Sequence, residues 1–349
     1  MAWQEAFAHQ TRTCRELGSG LTARICEALT RIIAADQGPV GRRVKTWPGD
    51  LAVGADSLPL RLCGALHALA LSGRAPDLAR AYAMGGGTQL DLDIFNEIKM
   101  HGNHILDFIE SPPQTNEVGR SAVLIAAARF LAGLLPGTRF DLLELGSSAG
   151  LNLNFPLYSL VDEQGSRATM AGEAVPQVRL MPRWRGTPPS AAALKVGEAR
   201  GVDLNPLDPA ADGFRLMAYV WPDQQDRLAR LRAALAVAAA HPPCVDRGDA
   251  GEWLESRLAG SAAHGRLVYH TVAAQYFPQA TRDCIEATLQ QAGARANAAQ
   301  PLAHFAMEND GGDGAGLRLR LWSGGAMRAW DLGRADFHAR WIDWQPREA

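Results

Sequence analysis

The chain has 349 residues, 47% hydrophobic and 21% charged, with a formal net charge of −2. That length fits about two domains, and so small a charge excludes a global field that recruits nucleic acid or an anionic membrane. No apolar run approaches the ~20 residues that span a bilayer, the N-terminal stretch lacks a secretory h-region, and the five cysteines form no CxxC pair, so a reducing cytoplasm is the expected setting.

Up to about residue 136 the pattern predicts an all-α N-terminal domain. "LTARICEALTRIIAA" places Leu21, Ile25, Leu29, Ile32 and Ile33 on one helical face. "LPLRLCGALHALAL", "LDLDIFNEIKMHGNHILDFIE" and "AVLIAAARFLAGLL" are further helical candidates, while "GPVGRRVKTWPGDLAVGADS" reads as a long loop. From 137 to 349 short apolar runs alternate with amphipathic helices, which predicts a second, α/β domain with a parallel sheet. Its strands are expected at 140–145, 198–203, 242–247, 266–271 and 302–308. An irregular insertion interrupts it near 161–195. "GLRLRLW", "SGG" and "AMRAWDL" then read as an antiparallel hairpin.

The first of these strands runs into "LLELGSSAGLN". A strand ending in an acid, Glu144, then Gly146 and Gly150, then a helix is a nucleotide-type turn. Gly146 permits a backbone conformation closed to other residues, and Gly150 lets the next turn approach a strand or a ligand. Two more acids stand at strand ends on the same edge. Asp203 is placed either to bind ribose hydroxyls or to cap a turn before Asn205. Asp249, beside Ala250, is placed either against an adenine amine or as the N-cap of the following helix.

A second constellation is "SPPQTNEVGRSAV", with Gln114, Asn116, Glu117 and Arg120 crowded before the sheet domain. Thr115 or Asn116 can N-cap the next helix. The alternative is that the segment reaches over the glycine turn and lines a pocket. In "YVWPDQQD", Trp221 is a candidate wall and Asp223 a cap for the helix that follows it. His270, Gln275 and Tyr276 follow the fourth strand, and His270 is either a general base or a hydrogen-bonded core histidine. His101 and His104 have no evident third ligand, so no metal site is expected.

The run "LLELGSSAGLN", the acid at Asp203, "GDA" at 248–250 and the closing hairpin resemble the class I S-adenosylmethionine-dependent methyltransferases. The resemblance covers about residues 137–332. It implies a Rossmann-like sheet of five parallel-type strands plus the hairpin, with S-adenosylmethionine as cofactor. It carries Glu144, Gly146 and Gly150 over to the turn that cradles the methionine part, Asp203 to the ribose and Asp249 to the adenine side, with Ser147, Ser148, Asn152 and Ala250 as further cofactor-binding candidates. Gln114, Asn116, Arg120, Trp221 and Gln275 are then candidates for a small-molecule acceptor, with His270, Glu117 and Tyr276 as catalytic candidates. Nearly the whole chain, with "QTNEVGR", "DLNPLDP" and "YVWPDQ", also resembles an uncharacterised bacterial family of unknown function. Two other functions fit the same residues: a methyltransferase-like scaffold that binds without catalysis, and an oxidoreductase using a dinucleotide, whose GxGxxG the turn does not match.

Overall fold

The computed structural model describes residues 2–51, 55–161, 167–169 and 178–349. The chain forms two compact units, residues 1–115 with 212–229, and residues 116–211 with 230–349.

The first unit is helical. Its helices are α1 (Ala2–Glu16), α2 (Gly20–Ala35), α3 (Pro39–Lys45), α4 (Leu58–Leu71), α5 (Pro76–Ala83), α6 (Leu90–Met100) and α7 (Gly102–Ile109). The apolar face of α2 is buried as its spacing predicts, and it packs into one core with Phe7, Leu62, Leu66 and Ile105. Two expectations change. The long loop holds a short helix, α3, started by Pro39 at its first turn. The candidate at 90–110 is two helices, because His101 (φ −118°) ends α6 and precedes α7 at Gly102. Residues 52–54 of the expected loop lie outside the described residues.

The returning segment 212–229 belongs to this unit for a packing reason. Tyr219 lies against Gly64, where a Cβ would stand 2.7 Å from its ring. Asp223 accepts from the amide of Leu21 (3.1 Å) and the hydroxyl of Ser19, the N-cap of α2. Asp223 therefore caps α2, not the helix that follows it in sequence, because an orphan N–H group at a helix start takes whichever carboxylate the fold brings.

The second unit begins with α8 (Ser121–Leu134), which lies beyond the division rather than before it. The Phe130 ring meets Trp330 and Trp344 edge-on at 5.8 and 6.1 Å, which holds α8 on the sheet. The strands are β1 (Arg139–Leu145), β2 (Ser159–Val161), β3 (Arg167–Thr169), β4 (Arg179–Leu180), β5 (Arg183–Arg185), β6 (Lys195–Asp203), β7 (Cys244–Arg247), β8 (Gly265–Thr271), β9 (Leu302–Asn309), β10 (Ala315–Trp322), β11 (Arg328–Ala335) and β12 (Trp341–Glu348). Helices α9 (Pro209–Ala218) and α10 (Gln225–Ala240) straddle the division, and α11 (Ala250–Leu258) and α12 (Gln279–Arg295) lie within the sheet unit.

The main sheet has nine strands in the order β5-β12-β11-β10-β9-β8-β1-β6-β7. The stretch from β7 to β9 is parallel, and these are the five strands read from the apolar runs. Numbered along the chain they lie 3-2-1-4-5, so the winding direction reverses between β1 and β8. The hairpin β10–β11 is present, but it is not the end of the sheet. β12 adds antiparallel to β11, burying Ile342 and Trp344, and β5 adds parallel to β12. β5 comes from the insertion, whose β2, β3 and β4 form a separate three-stranded sheet. Residues 162–166 and 170–177 of that insertion lie outside the described residues.

Candidate functional site

β1 ends where the winding reverses, and the glycine turn begins there. Gly146, Ser148 and Gly150 all take left-handed conformations, with φ of +73°, +55° and +69°. The turn is laced to β6. The amides of Gly146 and Ser147 donate to the Val202 carbonyl at 2.9 and 3.0 Å. The Ser148 amide donates to Asp203 Oδ2 at 2.8 Å, and Oδ1 takes the Asn205 amide at 2.8 Å. Gly146 and Gly150 are also needed for packing. A Cβ on Gly146 would stand 2.8 Å from Ala273 Cβ, and one on Gly150 would stand 2.7 Å from Pro243 and Val245. The bulk that both positions exclude is thus the protein's own. The turn leads into a 3-10 helix, Leu151–Leu157, instead of the expected α-helix. Pro156 inside it lacks the N–H that an α-helical ladder needs.

Glu144 points under the turn. In register it lies between Gly201 of β6 and Tyr269 of β8, so all three share one face of the sheet. Ser147 Oγ occupies the space over Gly201, where a Cβ would stand 2.0 Å away, and donates to the Glu144 carbonyl. Burial, with the Asp203 charge adding to it, pushes the Glu144 carboxyl well above its ordinary value. Burial therefore favours the protonated form of the group. Its Oε2 and the Tyr269 hydroxyl, both buried, meet no partner among the described residues.

The segment 116–121 frames this turn. Asn116 Oδ1 accepts from the Leu151 amide at 2.9 Å, and Ser121 Oγ donates to Asn152 Oδ1 at 2.7 Å. Arg120 donates to the carbonyls of Thr271 (3.0 Å) and Phe337 (2.9 Å). Glu117 is buried and caps the 3-10 turn Val118–Arg120 through the Gly119 amide, with Arg230 3.5 Å away. A carboxylate so held supports the backbone, and a proton-transfer role does not fit it. Gln114 and Trp221 belong to the helical unit and Trp221 is half-buried there, its carbonyl accepting from Gln224.

Asp249 caps α11. Its Oδ1 takes the amides of Gly251 and Glu252, and its Oδ2 takes the Thr281 hydroxyl at 2.6 Å. Burial opposes its charge, but these bonds hold the carboxyl below its ordinary value. Ala250 is the first residue of the helix so capped.

Past β8 the backbone turns sharply at Val272, which has φ +53°. A β-branched side chain rarely tolerates that region, and strain of this kind concentrates at functional sites. Gln275 and Tyr276 follow and are exposed, Tyr276 at 69%. His270 is not free to act as a base. Its Nδ1 lies 2.7 Å from Glu308 Oε1 and its Nε2 lies 3.1 Å from His304 Nε2. His304 Nδ1 lies 3.0 Å from Arg320 Nη2, and Arg320 forks onto Glu286 at 2.7 and 2.9 Å.

Arginine only donates, so His304 accepts at Nδ1 and carries its proton on Nε2. That proton goes to His270 Nε2, and His270 donates from Nδ1 to Glu308. The His270 Nε2 lone pair expected to take a substrate proton is thus already occupied by the His304 N–H. Burial, with the charges of His270 and Arg320 against it, pushes His304 well below its ordinary value. Glu308, His304, Arg320 and Glu286 carry no local motif. Their only signal is strand alternation, which puts His304 and Glu308 on one face of "LAHFAMEN".

Among the described residues no group of three or more His, Cys, Asp or Glu side chains is placed to hold a metal ion. Nor is any helix long and apolar enough to cross a membrane.

Fold and site together define a mixed α/β protein with a large, mostly parallel sheet and with left-handed residues in the turns that follow β1 and β8. The chain belongs to the bacterial family described as "Uncharacterized protein conserved in bacteria (DUF2332)", whose model matches residues 4–344. No curated protein and no solved structure matches it.

Proposed function

We propose that the chain binds a small molecule at the carboxyl edge of β6, β1 and β8, as a protein of the class I methyltransferase type. The observation that carries this reading is the strand order, 3-2-1-4-5. In open sheets of Rossmann type the crevice at the point of reversal collects ligands. The turn at Gly146–Gly150 and the carboxylate of Asp203 stand at that point.

S-adenosylmethionine is the first ligand to test, since its sulfonium supplies a methyl group for in-line transfer to a nucleophile. The residues fit it in part. Each Asp203 oxygen is engaged by one backbone amide and keeps acceptor capacity for a ribose hydroxyl. The hollows beside Gly146 and Gly150 do not fit it, because Ala273, Phe277, Pro243 and Val245 fill them. Asp249 is committed to its cap and to Thr281, which take both of its oxygens. No transfer step is therefore assigned to named side chains.

A second reading, binding without catalysis, is favoured by those filled hollows and by the committed state of His270. Calorimetry with S-adenosylmethionine and its demethylated product separates the two. Binding that is lost in Asp203→Ala, with turnover on an acceptor panel, supports the methyltransferase. Binding without turnover supports the scaffold. No heat and no thermal shift at millimolar ligand rejects the cofactor, with a nicotinamide dinucleotide as the control.

A further inference from the structure

The amino ends of β8 and β9 lie at the opposite edge of the sheet from the glycine turn. Residues from the ends of α11 and α12, the loop before β8 and the starts of both strands line a cavity there of about 240 Å³. All of them belong to the second unit. Leu258 and Pro301 give it an apolar wall. Arg266 of β8 and Arg295, the last residue of α12, give it charge, and no Asp or Glu stands among its lining residues.

Each guanidinium gives one nitrogen to a backbone carbonyl, Arg266 Nη2 to Gly260 at 2.5 Å and Arg295 Nη2 to Leu258 at 3.0 Å. Among the described residues neither has a carboxylate within 4.0 Å. Both stay charged at any pH the protein meets. The ends of α11 and α12 each supply about half a negative charge, which offsets only part of two full positive ones. Asp141, the acid that acts on Arg266, is already engaged: its Oδ1 meets His264 Nδ1 at 3.1 Å and the Glu198 amide at 2.9 Å. Burial pushes Arg266 below its ordinary value, and the charges of Arg295 and Arg257 add to this against the pull of Asp141. Like charges crowded at a half-buried site favour an anion between them. The Ser261 hydroxyl and the Gln300 amide line the same cavity as further donors.

A guanidinium fork matches the oxygens of a carboxylate or a phosphate. Two guanidinium charges without carboxylates match a dianion, which a phosphate is and a single carboxylate is not. We propose that this cavity binds a phosphate dianion through Arg266 and Arg295. The inference stands apart from the ligand proposed for the carboxyl edge.

The test is calorimetry at pH 8 and fixed ionic strength with inorganic phosphate and phenyl phosphate, against the monoanions benzoate and benzenesulfonate. The phosphates should bind at least roughly tenfold more tightly than the monoanions. Arg266→Gln and Arg295→Gln should each weaken phosphate binding by roughly tenfold or more. Arg295→Lys, which keeps the charge without the fork, should lose less than Arg295→Gln. Arg328→Gln, three strands along the sheet on β11, should bind as wild type does. Thermal unfolding checks folding. Arg295 is exposed, so its variants carry the test if the half-buried Arg266 does not tolerate change. Tighter binding of phenyl phosphate makes an organic monophosphate the source, and equal binding makes it free phosphate; both support the site. The proposal is overturned if neither phosphate gives heat at millimolar concentration, if the monoanions bind as well, or if folded Arg295→Gln binds unchanged.

Discussion

His270 and His304 face each other Nε2 to Nε2 at 3.1 Å, so one ring must donate and the other accept. Arg320 on the far side of His304 settles the direction. Nitrogen-15 NMR should report the Nδ1–H tautomer for His270 and the Nε2–H tautomer for His304 at neutral pH. The folded His304 value lies below the unfolded one. Its contribution to stability is therefore present above about pH 6.5 and declines as pH falls below that value. His304→Phe should flatten that part of the pH–stability curve. An imidazolium signal from His304 at pH 7 would contradict the tautomer assignment.

Glu144 carries the opposite sign. Its folded value lies well above the unfolded one, so its contribution is complete below about pH 4.5 and is lost as pH rises. Glu144→Gln keeps the shape and removes the titration. Urea unfolding should find the variant close to wild type at pH 4 and more stable than wild type at pH 8. A wild type that outperforms the variant at pH 8 would show the carboxylate to be ionised and in use.

Gly201 and Ser147 should be coupled, because a Cβ on the glycine would stand 2.0 Å from Ser147 Oγ and 2.8 Å from its Cβ. Gly201→Ala should lose about 1–3 kcal/mol in urea unfolding. Adding Ser147→Gly to it should lose less than the two single changes summed. Simple additivity in the double-mutant cycle would mean the two side chains do not compete for that space.

Asp223 should matter most to α2, more than 200 positions before it. Asp223→Ala should cost about 1–2 kcal/mol, as lost helix caps do. Hydrogen exchange should show the Leu21 amide deprotected, while the first turn of α10 stays as in wild type. Deprotection confined to α10 would restore the local reading of Asp223.

Much of the frame was legible because the patterns that specify it are local. The α2 stripe and the five apolar runs of the parallel strands each lie within one segment, where periodicity reports burial directly. Ile342 and Trp344 lie beyond the span of the methyltransferase resemblance, which implies five strands plus a hairpin where the sheet has nine strands. Pro156 was visible too, and it marks why an α-helix does not follow the glycine turn.

The candidate residues are legible as neighbours but not in the contacts they make. Asp203, the glycine turn and Asn116–Arg120 do meet at one edge. What each side chain does there depends on neighbours far away in sequence. Asp249 finds Thr281, Asp223 finds Ser19, and His270 finds Glu308 and His304.

Sequence alone determined the elements, because helix and strand periods, turn residues and caps act over a few positions. Tertiary structure alone decided which carboxylates are caps, which histidine nitrogen is occupied and which glycines make room for the protein itself. A hydrogen bond or a van der Waals contact depends on separation in space, and folding brings together residues whose spacing along the chain carries no trace of it.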